Sequence, residues 1–95
     1  MPLRVGLLSV ELFLPDAQSL KDKRMVLRAV KDRLKKFNVS VAEVEHQQLW
    51  QRAGLGIVSI SNGHDLVDKA LDAVLEEIER VQPGVVTRAQ REWLA

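Results

Sequence analysis

The residues best equipped for chemistry in this sequence are cations. Between Lys21 and Lys36 stand Lys21, Lys23, Arg24, Arg28, Lys31, Arg33, Lys35 and Lys36, opposed only by Asp22 and Asp32. Ser19-Leu20-Lys21-Asp22 directly precedes and overlaps that run, and it approximates the capping box that satisfies free amide donors where a helix begins. A helix start presents unpaired N–H groups and the positive end of the dipole, so phosphate is the ligand chemistry on offer. A second stretch, His46-Gln47-Gln48-Leu49-Trp50-Gln51-Arg52-Ala53, contributes an indole able to stack on a base or anchor a protein partner. The candidate anion- or nucleic-acid-binding residues are therefore Ser19, Lys21, Lys23, Arg24, Arg28, His46, Trp50 and Arg52. The competing structural reading has Ser19 merely capping, Asp22 neutralising a lysine and Trp50 padding the core beneath its own loop.

Catalytic readings find less support. There is no cysteine, hence no thiol nucleophile, thiolate metal site or disulfide. His46 and His64 fall on connections expected at opposite ends of the molecule, where they read as solvated loop histidines and share no metal. Ser19, Ser40, Ser59 and Ser61 lack the context of a nucleophile, and Gly54-Leu55-Gly56 lacks the third glycine and following helix of a dinucleotide fingerprint. Glu43 and Glu45 alternate on one face of strand two, where they could form a carboxylate pair, although a solvated or edge-protecting role is the stronger reading. No convergent acid, base and nucleophile emerges, so the chain reads as a non-enzyme with neither cofactor nor metal.

The elements that position these residues follow from periodicity. Leu3 to Leu14 is apolar and β-rich and stops at Pro15-Asp16, which makes it strand one. Leu20, Leu27, Val30, Leu34 and Phe37 share a helical stripe and predict helix one from Leu20 to Phe37. Val39 to Glu45 and Gly54 to Ser61 read as strands two and three. Helix two begins at Asp65, is carried by the series Leu66, Ala70, Ala73, Val74, Glu77, Ile78 and Val81, and ends before Pro83-Gly84; Val85 to Leu94 is strand four. The order β-α-β-β-α-β across 95 residues is the split arrangement of ferredoxin-like folds: one α+β domain over residues 1–95, with a four-stranded antiparallel sheet in the order 4-1-3-2 and both helices on one face. In that topology the end of strand one, the start of helix one and the strand-two to strand-three connection gather at one rim. Helix one would also lie beside an acidic helix two, so part of its charge is expected to be spent on ion pairs.

The stretches Ser19-Leu20-Lys21-Asp22-Lys23-Arg24, Phe37-Asn38-Val39-Ser40-Val41-Ala42-Glu43-Val44 and His46 to Ala53, in this order and spacing, resemble the YlxP-like family of small bacterial proteins, itself of unknown function. The resemblance runs over nearly the whole chain. It implies a bacterial cytoplasmic protein of ferredoxin-like fold, often encoded beside transcription-elongation and translation-initiation factors.

A net charge of +1 gives no general reason to expect a polyanion, so any nucleic-acid contact must come from the local basic segment. The sheet face is a poor RNA platform, because strand three carries no aromatic side chain and strand one only Phe13. With no apolar run near the roughly 18 residues of a membrane span, no membrane partner is expected. The preferred expectation is a non-catalytic cytoplasmic binding module, associated with RNA or the ribosome through the basic helix start and the Trp50 loop. The alternative is a homodimeric protein-interaction or small-ligand module using the open sheet face, where Leu3, Val5, Leu7 and Phe13 are expected, joined by Leu55 and Ile57.

Overall fold

The computed structural model describes residues 2–95. Its elements are β1 (Arg4–Phe13), α1 (Leu20–Leu34), β2 (Ser40–Glu45), β3 (Arg52–Ser61), α2 (His64–Val81) and β4 (Val86–Trp93). The sheet is antiparallel throughout, in the order β2-β3-β1-β4, which is the arrangement 4-1-3-2 counted from the opposite edge.

β1 alternates cleanly. Leu8, Val10 and Leu12 are buried toward the helices together with Leu14, while Ser9 and Phe13 on the other phase are exposed. Residues directly opposite in an antiparallel ladder share a face, and the register pairs Leu8 with Ile57 and Val10 with Leu55. Leu55 and Ile57 therefore belong to the buried core and not to the open face; Val58 and the half-exposed Ile60 take that place.

α1 buries Lys23, Leu27, Val30 and Leu34, and α2 buries Val67, Leu71, Val74, Glu77 and Ile78. Each helix thus carries one charged residue on its core stripe. α1 stops at Leu34, three residues short of Phe37, because the chain tightens: the Phe37 N–H donates to Leu34 O at 3.0 Å and the Val39 N–H to Phe37 O at 2.9 Å. Asn38 then ties the connection to β3, donating from Nδ2 to Ile60 O (2.8 Å) and accepting at its carbonyl from the buried Ser59 hydroxyl (2.7 Å). Phe37 still packs against the core from this turn.

α2 crosses so close to β1 that a Cβ on Gly6 would lie 2.6 Å from Val67 Cγ1. β4, mostly exposed, is fastened to α2 by Arg91, whose guanidinium donates to Asp68 Oδ1 and Asp72 Oδ1 at 2.9 Å each. Among the described residues no helix is long and apolar enough to cross a membrane.

Candidate nucleic-acid interface

The rim predicted from topology exists, and Lys23 builds it. Its side chain is 1% exposed, and its ammonium pairs with Glu43 Oε2 at 2.9 Å. The same nitrogen donates to the carbonyls of His46 (2.8 Å), Arg52 (3.2 Å) and Gln47 (3.4 Å). The first turn of α1 is thereby clamped to the β2–β3 connection. The end of β1 joins them: the Leu14 N–H donates to Gln51 O (2.8 Å), and the Gln51 amide donates to the carbonyls of Pro15 (3.0 Å) and Ala17 (3.2 Å).

That clamp corrects part of the expected site. Lys23 is no anion ligand, since its charge is buried and neutralised. Ser19 caps, accepting at Oγ from the Asp22 N–H (3.0 Å), while Asp22 Oδ2 accepts from the Gln18 N–H (3.0 Å). A carboxylate already sits at the positive end of the α1 dipole, so the helix start offers no vacant anion cradle. His46 is partly buried and engaged, whereas His64 is exposed, though it stands on a helix and not on a loop. His46 Nε2 lies 3.1 Å from Glu11 Oε1, and the His64 ring, on the first residue of α2, lies 4.1 Å from the Trp93 ring between centroids. Arg52 remains half-exposed but is engaged with Glu11 Oε2 at 3.1 Å. The His46 hydrogen bond, against the opposing effect of burial and aided by Arg52, holds the Glu11 carboxyl below its usual range.

Glu43 and Glu45 do not share a face. The β2–β3 register slips between them, pairing Glu43 with Leu55 and Glu45 with Gly54, so a bulge at Val44 sends Glu43 to Lys23 beneath the helices and Glu45 to the open face.

The remaining basic residues divide by helix face. Arg33 Nη1 (3.8 Å) and Lys36 Nζ (3.2 Å) reach the buried Glu77 of α2, which Arg80 also contacts, and Lys35 pairs with Asp32 at 3.1 Å. Burial would raise the Glu77 pKa, but Lys36, Arg80 and Arg33 outweigh it and hold the carboxyl below its ordinary value. Lys21, Arg24, Arg28 and Lys31 have no carboxylate within ion-pair reach among the described residues. Their spacing of three, four and three puts them on one stripe of α1, about 15 Å long at 1.5 Å per residue. Arg24, Arg28 and Lys31, with Leu27, Asp32, Lys35 and Glu43, line a groove of about 330 Å³. Lys31 extends the expected set, and its spacing from Arg24 and Arg28 was the signal for it.

Trp50 is 54% exposed and does not pad the core. It lines a separate groove of about 400 Å³ with Phe13, Gln48, Leu49, Gln51 and Arg52. The structure joins the Trp50 loop to the start of α1 through Lys23, and it leaves the indole and the cationic stripe in different grooves.

A family model described as "Protein of unknown function (DUF503)" matches residues 5–91. The "Uncharacterized protein YlxP" of Bacillus subtilis (strain 168) is 37% identical over 90 residues, covering 94% of this chain and 98% of that protein. Among solved structures, the de novo designed protein Foldit4 superposes with a TM-score of 0.60 at 8% identity, covering 98% of this chain and 97% of the design. A C-terminal segment of the alpha subunit of aIF2 from Pyrococcus abyssi gives 0.55 at 20% identity, covering 99% of this chain and 51% of that one. At these identities the two structures speak for the fold alone. The family match and the Bacillus relative span nearly the entire chain, which therefore belongs to the DUF503 family, the YlxP-like group that its sequence resembles.

Proposed function

We propose that the protein is a non-catalytic cytoplasmic module that binds single-stranded RNA along α1. The observation that carries this reading is the stripe Lys21-Arg24-Arg28-Lys31, four cations on one helix face with no carboxylate within ion-pair reach among the described residues. Phosphates supply the missing counter-charges, and release of their condensed ions drives association. The stripe runs toward the connection clamped by Lys23, where the exposed Trp50 supplies a stacking surface for a base.

The test is fluorescence anisotropy of a labelled single-stranded oligoribonucleotide, comparing the native chain with an Arg24→Gln/Arg28→Gln variant. Both positions are exposed, so the variant keeps its fold and loses most of its RNA affinity. Equal affinity in the two proteins overturns the reading. Lys23 is left intact, because its loss would unfasten the loop.

A second reading is self-association through the open sheet face, favoured by the exposure of Phe13 (44%), Ile60 (50%) and Val44 (55%). Light scattering separates it from the first, since a dimer resistant to Ile60→Ser would rule this face out.

A further inference from the structure

On the open face of the sheet, three side chains from three stretches of chain converge. Glu11 comes from near the end of β1, Glu45 from the last residue of β2 after the bulge, and His46 from the following connection. His46 Nε2 lies 3.1 Å from Glu11 Oε1 and 3.8 Å from Glu45 Oε2, and all three donor atoms fall within 4.8 Å of one another. We propose that Glu11, Glu45 and His46 form a binding site for a first-row divalent cation of the zinc type.

The spacing fits such an ion. Zinc holds imidazole nitrogen and carboxylate oxygen at roughly 2.0–2.2 Å, which sets tetrahedral donor–donor edges of about 3.4 Å. The two measured separations bracket that value. A single ring nitrogen facing two carboxylates carries at most one proton to share between them, whereas a dication serves both. One imidazole with two carboxylates is a mixed donor set suited to zinc, manganese or cobalt more than to calcium or magnesium.

The donors are also held from behind, as metal ligands commonly are. Arg52 Nη2 donates to the second oxygen of Glu11 at 3.1 Å, leaving Oε1 turned toward the imidazole. Lys23 Nζ donates to the His46 carbonyl at 2.8 Å, fixing a residue whose φ of 61° already sets its direction. Glu45 approaches closely because its ladder partner is Gly54, where a Cβ would stand 2.8 Å from Glu45 Cβ. A groove of about 240 Å³ lined by Glu11, Glu45, Arg88 and Gln90 opens beside the cluster and gives solvent ligands access. The arrangement lies apart from the α1 stripe and does not depend on RNA binding.

The experiment is a zinc chloride titration of the full chain, followed by calorimetry and by the ring resonances of its two histidines. One equivalent binds, shifting His46 and leaving His64 unmoved, and the thermal midpoint of the protein rises with zinc. Glu45→Gln lowers the affinity at least about tenfold, a loss comparable to that for a ligand's supporting residue. Glu45 is 67% exposed and keeps only a 3.8 Å ion pair, so this variant tests the site without threatening the fold. The absence of saturable binding at millimolar zinc overturns the proposal. So does zinc binding in Glu45→Gln and His46→Gln that is as strong as in the native protein, which would place the ion elsewhere on the surface.

Discussion

Lys23 and Glu43 meet at 2.9 Å beneath the β2–β3 connection, and the same ammonium holds three backbone carbonyls of that connection. A residue from the first turn of a helix therefore fastens a loop more than twenty positions away, and the charge that looked available for a ligand is consumed in doing so.

Replacing Lys23 with Met leaves Glu43 and the His46 and Arg52 carbonyls without their donor. Removal of one partner from a buried pair is expected to cost about 3 kcal/mol in urea unfolding. Amide exchange should accelerate first at residues 46–52. Glu43→Gln costs less, because Lys23 keeps the carbonyls.

The Glu77 carboxyl, depressed by Lys36, Arg80 and Arg33, makes the fold acid-sensitive. A carboxyl whose folded pKa lies below its unfolded value contributes stability that is complete above the unfolded value near 4.5 and is lost as pH falls through the folded one. Thermal midpoints measured below pH 4.5 should fall more steeply in the native protein than in Glu77→Gln, which begins lower but has less to lose. Equal slopes would contradict this assignment.

Salt dependence reports how many cations of the stripe meet phosphate. Four contacts on single-stranded RNA give a slope of log K against log salt of about −3, and the Arg24→Gln/Arg28→Gln variant should flatten it by about 1.4. Anisotropy titrations at several salt concentrations measure both.

Gly6 is a site of close approach between sheet and helix. Gly6→Ala drives a methyl against Val67 and Leu71, and overpacking of this kind costs about 1–3 kcal/mol. Chemical denaturation checks it, with Gly56→Ala, whose Cβ meets nothing nearer than 3.4 Å, as the milder comparison.

The element order was readable because both helices carry strong apolar stripes and the strands end at clear turn signals. Lys23 could also have been read: Lys23, Leu27, Val30 and Leu34 are spaced four, three and four, so the lysine lies on the core stripe. Glu77, already on the periodic series of helix two, is buried beside Leu71, Val74 and Ile78 in the same way. What periodicity could not reveal was the bulge at Val44, because the slip depends on how two strands pair and not on either alone. That slip separates Glu43 from Glu45 and brings Glu45 to Glu11 and His46. Leu55 and Ile57 were misassigned for a related reason, since their face is decided by pairing with Val10 and Leu8.

The division of charge on α1 has a consequence at distances beyond contact. With Arg33 and Lys36 drawn onto Glu77, and Asp68 and Asp72 of α2 facing Arg91 elsewhere, the four cations of the stripe concentrate positive field along one face of α1. Within a screening length of about 10 Å at 0.1 M salt, a polyanion exerts a torque on such a particle. The molecule would turn α1 toward it before any encounter complex forms, so the asymmetry selects the orientation of approach as well as the final contacts.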